Sequence, residues 1–292
     1  MKDFKIITLK DKSYPKLLKE IHQAPKKLWV KGELEKEDEQ AIAVVGARKI
    51  TSYGRQVTES LVPALVTAGL TIVSGMARGV DSVAHRAALT AGGRTLAVLG
   101  CGIDVIYPPE NKRLYQEIVE HGAVLSEFEP GTPPKREHFP SRNRIIAGLS
   151  LGVLVTEAAE ISGSLITAGF AADYGREAFA VPGPVYSKMS AGTANLIKDG
   201  AKLVYRVSDI LEELNLAPPL RPDERQGHAV QARDEVERKI LEILAQEPTN
   251  IDNIVKKIDL PVSEVSAKLT LLEIKGLVKN LGRGVYTTKK QI

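Results

Sequence analysis

The chain has 292 residues, 43% apolar and 26% charged, with 40 Lys/Arg against 36 Asp/Glu. That length suffices for one large domain and one small one, and no apolar run reaches the roughly 20 residues a membrane helix needs. The single cysteine, Cys101, excludes an intrachain disulfide and a cysteine-rich zinc site, while a formal charge of +4 permits a nucleic-acid partner without demanding one. Met1-Lys2-Asp3-Phe4-Lys5 carries neither an apolar core nor a cleavage site of a signal peptide, so the expected compartment is the cytoplasm.

Residues 1–40 read as a short charged extension. Tyr14-Pro15, Leu17-Leu18, Ile21, Pro25 and Leu28-Trp29-Val30 suggest helical turns with an apolar anchor, and Glu33 to Gln40 a solvated acidic linker. The pattern changes at Ala41. Ala41 to Val45 is a continuous apolar run, as in a strand buried on both faces. A helix over Tyr53 to Ala68 follows, then a strand at Thr71 to Val73. Asp81 or Ser82 is expected to cap the next helix, which runs to Ala91. Thr95 to Leu99 is a third strand. Asn111 is placed to cap a helix through Val119, and Ala123 to Ser126 is a fourth strand.

Beyond a proline-rich stretch, Ser141 to Gly148 reads as helix and Leu151 to Thr156 as strand. Ser162 to Gly175 is helix, Ala178 to Val181 strand, Asn195 to Lys198 a short helix and Lys202 to Tyr205 a final strand. Strands alternating with helices predict an α/β domain over 41–215 with a parallel sheet. Residues 216–233 hold three prolines and no periodicity, and read as a linker. Three amphipathic helices and a hairpin around Gly282-Arg283-Gly284 then predict a winged helix over 234–292.

Open α/β sheets bind ligands beyond the carboxyl ends of their strands. The loops there are Gly46-Ala47-Arg48, the 74–81 loop, Gly100-Cys101-Gly102 and Ser162-Gly163-Ser164. In the second of these, Ser74, Gly75, Arg78 and Gly79 combine small residues, a guanidinium and a helix start, which together suit an anion. The pattern G-x-G-x-x-G is absent after the first strand, so a dinucleotide site is not expected. Between Pro133 and Arg144 stand four basic residues and one acidic: Lys135, Arg136, Glu137, Arg142 and Arg144, with Phe139 and Asn143 among them. Cations for phosphates beside an aromatic ring are the ingredients of single-strand binding.

Catalytic groups are sparse. Glu127 and Glu157 lie just past strand ends, without an evident nucleophile, base and orienting group. His85, His121 and His138 lack metal-ligand spacing. Neither an enzyme nor a metal or cofactor is expected.

With these motifs in place the sequence resembles the DNA-processing protein A (DprA/Smf) family. The likeness runs through Val45-Gly46-Ala47-Arg48 with Tyr53-Gly54, Ser74-Gly75-Met76-Ala77-Arg78-Gly79-Val80-Asp81-Ser82 and Tyr107-Pro108 with Asn111. It continues through Phe139-Pro140-Ser141-Arg142-Asn143-Arg144, Ser162-Gly163-Ser164-Leu165-Ile166-Thr167-Ala168 and Val181-Pro182-Gly183. The resemblance implies an extended Rossmann-like domain that binds single-stranded DNA, a homodimer, and a recombination mediator that loads the RecA recombinase on incoming strands in natural transformation. It also implies an encounter with single-strand-binding protein. Arg48 matches the family's DNA-contacting arginine. Phe139 falls on its aromatic contact, and Arg136 or Lys135 on its basic one. The 74–79 loop and Ser162 to Ser164 would line the phosphate groove. With only forty residues before the first apolar strand, the sterile-alpha-motif-like domain of some members is not expected in this sequence.

From Asp234 to Ile292 there are ten Lys/Arg and nine Asp/Glu. A duplex-reading module is expected to be more basic, so a weak DNA contact or a protein contact is expected of it. Two other readings are compatible with the sequence. One is a nucleotide N-glycosidic-bond hydrolase using Glu127 or Glu157. The other is a winged-helix regulator whose large domain senses a nucleotide.

Overall fold

The computed structural model describes residues 4–216 and, in a second compact unit, residues 235–288 apart from 259, 275, 276 and 283. Apart from Leu216, the expected linker over 216–233 lies outside the described residues.

The first unit is built on one nine-stranded sheet. Its strands are β1 (Lys5–Thr8), β2 (Lys27–Gly32), β3 (Ala41–Val45), β4 (Thr71–Ser74), β5 (Thr95–Leu99), β6 (Gly122–Ser126), β7 (Gly152–Val155), β8 (Glu177–Ala180) and β9 (Lys202–Leu203), ordered β1-β2-β6-β5-β4-β3-β7-β8-β9. All pairings from β6 to β9 are parallel. The order β5-β4-β3-β7-β8-β9 is the 3-2-1-4-5-6 of a Rossmann sheet, extended by β6 at one side. The sheet reverses its winding between β3 and β7, which pair directly, Ala43 with Val153 through Val45 with Val155.

Period-two alternation explains the two cores. Ala41, Ala43 and Val45 of β3 face a cluster that includes Leu18, Ile145, Ile146, Ala168 and Ala171. These come from helices α1 (Lys16–Glu20), α5 (His138–Gly148) and α6 (Gly163–Asp173). Ile42 and Val44 face the other side, with Leu61, Leu65, Ala84 and Ala88 of α2 (Ser52–Thr67) and α3 (Val80–Thr90). With both faces covered, β3, β4 and β5 are buried along their whole length, and β3 reads as an unbroken apolar run. α4 (Lys112–His121), α7 (Ala191–Lys198) and α8 (Val207–Glu213) complete the described helices of this unit.

The N-terminal stretch departs from expectation. Leu28-Trp29-Val30 is strand rather than helical turns, and β2 pairs antiparallel with β6. β1 extends this edge, so residues 5–32 supply two strands of the sheet instead of preceding the domain. The acidic segment is also tied down. Lys36–Glu39 forms a 3-10 turn, and Asp38 accepts from Arg94 Nη2 at 2.9 Å and from Thr71 Oγ1 at 3.0 Å. A charge run therefore docks here because Arg94 provides its counterion.

The second unit has helices α9 (Glu235–Gln246), α10 (Ile251–Ile258) and α11 (Val262–Ile274), with β10 (Thr249–Asn250), β11 (Val278–Gly282) and β12 (Val285–Thr288) in a sheet ordered β10-β12-β11. Ile240, Leu244, Ile254, Val265, Leu269 and Leu272 form its core. This is the expected winged helix, with a short third strand in which Thr249 pairs with Tyr286.

Candidate nucleic-acid interface

The ends of β3 and β7 open into a trough of about 820 Å³. Its lining comes from the loop after β3, from α5 and the residues leading into it, and from the loop between β7 and α6. Loop and helix meet here because the chain leaves β3 toward α2, on one face of the sheet, and leaves β7 toward α6, on the other. The crevice at such a winding reversal is where this class of sheet takes its ligands.

The trough brings together Arg48, Arg136, Phe139, Arg142, Asn143, Gly163 and Ser164. Lys49, which sequence reasoning passed over, joins them, and so do Asp81, Ile161, Ile166 and Met189. Arg48, Lys49 and Arg136 are exposed. α5 presents Phe139, Arg142, Asn143 and Ile146 to this space, which is the i, i+3, i+4, i+7 face of a helix. At the start of α6, Ser162 accepts from Ser164 N, leaving the exposed Gly163 at the rim. A recess of about 40 Å³ adjoins the trough and shares Arg48, Ala77 and Phe139 with it; Gly75, Arg78 and Tyr107 are among its other lining residues.

Arg142 has a structural position. It is 3% exposed, and its Nη1 donates to Gly75 O at 2.8 Å and to Val98 O, while Nε donates to Asn143 Oδ1 at 3.2 Å. A Cβ on residue 75 would lie 2.5 Å from the Arg142 guanidinium, so only glycine fits there. Burial pulls the Arg142 pKa down to about 10, partly offset by Asp81, so the group stays charged at neutral pH. Burial also raises the Asp81 carboxyl pKa, against the pull of Arg142 and Arg48.

The loop from Ser74 to Gly79 is a scaffold more than a phosphate cradle. Ser74 is fully buried, and its hydroxyl donates to Val44 O at 2.7 Å. Gly79, at φ 80°, packs a would-be Cβ position 2.1 Å from Ala47 O. The helix starts at Val80, so Asp81 and Ser82 do not cap it. Both turn back onto Ala77 instead, Asp81 accepting from its N–H at 3.3 Å and Ser82 donating to its carbonyl. Asn111 stands at the N-cap of α4 as expected, but its side chain makes no capping bond; its Nδ2 donates to Met76 O and Ser82 Oγ, both at 2.9 Å. Arg78 is exposed and ion-paired with Glu110.

Arg144 and Lys135 do not line the trough. Arg144 Nη2 donates to both Glu127 carboxylate oxygens, at 2.5 and 2.6 Å. Lys135 is exposed. The two candidate carboxylates are likewise engaged elsewhere. Glu127 holds Arg144, and Glu157, 3% exposed, accepts from Thr51 N at 2.9 Å and from the Thr51 hydroxyl at the start of α2. Among the described residues no group of three His, Cys, Asp or Glu side chains is placed to hold a metal, and no helix is long and apolar enough to cross a membrane.

The surroundings are those of a known family. Residues 5–215 match the family model described as DNA recombination-mediator protein A, and residues 219–282 match that of the DprA winged helix domain. Protein Smf of Escherichia coli K12 is 41% identical over 283 residues, which cover 95% of this chain and 75% of that protein. The solved structure of DNA processing protein A from Streptococcus pneumoniae superposes with a TM-score of 0.70 at 46% identity, covering 73% of this chain and 75% of that one. That of Helicobacter pylori gives a TM-score of 0.65 at 33% identity, covering 73% and 96%. The chain belongs to the DNA recombination-mediator protein A (DprA/Smf) family.

Proposed function

We propose that the trough binds single-stranded DNA without catalysis, with the phosphates held by Arg48, Lys49 and Arg136. The observation that carries this reading is the convergence of three exposed cations on an open trough at the winding reversal of the sheet. A bare strand is flexible enough to follow such a trough, and its spaced negative charges match separated guanidinium and ammonium groups. The Helicobacter pylori relative was solved for its single-stranded DNA binding mode, which supports the same ligand here. Membership of a recombination-mediator family supports the wider role. In that role the protein loads a RecA recombinase on incoming DNA in natural transformation, acts as a homodimer and works against single-strand-binding protein.

Competition distinguishes this from the other readings. A labelled oligo(dT) bound to the protein is displaced by unlabelled single strand at far lower concentration than by duplex of equal length. Equal displacement by duplex favours a winged-helix regulator, and release of free base from nucleoside monophosphates favours the hydrolase.

A further inference from the structure

Phe139 is the residue that sequence reasoning offers to the bases, yet its ring is already engaged. The Arg48 guanidinium stands 4.9 Å from its centroid, and Tyr107 packs on it at 5.8 Å and 37°. The backbone at Gly100 presses so closely that a Cβ there would lie 2.9 Å from Phe139 Cδ1. Only part of the ring remains for a ligand. The bases of a bound strand need other apolar surface.

The trough has such surface on the side formed by the β7–α6 loop and α6. Ile161 lies at the end of that loop, 97% exposed, and Ile166 on the first turn of α6 is 44% exposed. Met189 lines the same space. Arg48 and Lys49, on the loop after β3, and Ile161, on the loop after β7, line this one trough. The trough therefore offers a bound strand apolar surface as well as charge. Ile161 is β-branched, so it loses little side-chain freedom when covered. Every base offers an apolar face, so this contact is indifferent to sequence.

We propose that the nucleobases of the bound strand rest on the apolar side of the trough, with Ile161 as their principal contact and Ile166 beside it. This rests on the single-strand reading above. It makes Ile161 a base-contacting residue, distinct from the cations that meet phosphates.

The test compares oligo(dT) with an equally long strand of abasic deoxyribose phosphates, by fluorescence anisotropy on the full chain. Ile161 projects into solvent, so substituting it leaves the core untouched. Ile161→Ala is expected to weaken oligo(dT) binding by about fivefold, from the apolar area no longer covered, and to leave the abasic strand's affinity unchanged. Ile161→Phe, which restores apolar area, is expected to recover the oligo(dT) affinity. Unchanged oligo(dT) binding by Ile161→Ala, or an equal loss on both strands, overturns the proposal. A wild-type protein that binds neither strand refutes the single-strand reading itself.

Discussion

The Arg48 guanidinium stands over the ring of Phe139, 4.9 Å from its centroid. One residue follows β3 and the other lies on α5, so the contact ties together two elements that come from distant parts of the sequence. Phe139 thereby packs against an exposed cation that lines the trough. The Arg48 and Phe139 effects are therefore coupled. Arg48→Ala and Phe139→Ala each weaken single-strand binding, and the double variant loses less than the product of the two losses, by about fivefold. Equilibrium titrations of the four proteins provide the cycle. Losses that multiply without remainder contradict the contact.

Arg142 and Arg144 sit two residues apart on α5 and have unlike roles. The Arg142 guanidinium is buried against Gly75 and donates to two backbone carbonyls. Arg142→Ala removes those bonds and leaves Asp81 without its buried counter-charge, so urea unfolding is expected to show a loss of about 3–5 kcal/mol. Arg144→Ala releases Glu127 and lowers stability too, yet the salt dependence of single-strand binding stays that of the wild type. A reduced salt slope in Arg144→Ala returns that residue to the DNA.

His85 is fully buried, with Nδ1 2.6 Å from Thr95 Oγ1. The Thr95 hydroxyl donates to Ile72 O, so it accepts from His85 Nδ1–H. Burial, reinforced by Arg142 and Arg86, pushes the His85 pKa down to about 3. Between that value and the ordinary 6.5 the unfolded chain holds a proton that the folded chain does not. Stability therefore falls as pH drops through this window, by about 1.4 kcal/mol per pH unit from this group. His85→Asn is expected to show a shallower pH dependence of the urea midpoint between pH 6 and pH 4, roughly the accessible part of that window. An unchanged slope contradicts a neutral buried His85.

Much of the fold is legible because burial on both faces of the sheet leaves unbroken apolar runs. Ala41–Val45 and Thr95–Leu99 are strands with the bounds their sequence suggests. The N-terminal hairpin is not legible in this way. Its edge pairs antiparallel and half-exposes β1, and Leu28-Trp29-Val30 is too short to show a period. At the trough, sequence supplies the cations but not their directions. Helical spacing aligns Phe139 with Arg142 and turns Arg144 away, and only the position of Glu127 shows what Arg144 is for. Ile161 carries no signal in a list of charges and glycines. Its meaning comes from its 97% exposure inside a cationic trough.

The two compact units divide the chain near residue 219. Every residue lining the trough belongs to the first. In the second, α11 carries Glu264, Lys268 and Glu273, a mixture of signs poorly suited to a phosphate backbone. A chain ending at residue 216 is expected to retain the single-strand affinity of the full protein in the same titration. Its loss moves the principal DNA contact to the winged helix.

The central claim is that the cations at the end of β3 meet the phosphates of a single strand. The most direct measurement is the salt dependence of oligo(dT) binding by wild type and by Arg48→Ala. Each phosphate contact on a single strand contributes about 0.7 to the slope of log K against log salt. Arg48→Ala is expected to bind more weakly at moderate salt and to flatten the slope by about that amount. An identical affinity and slope in the two proteins contradicts the claim.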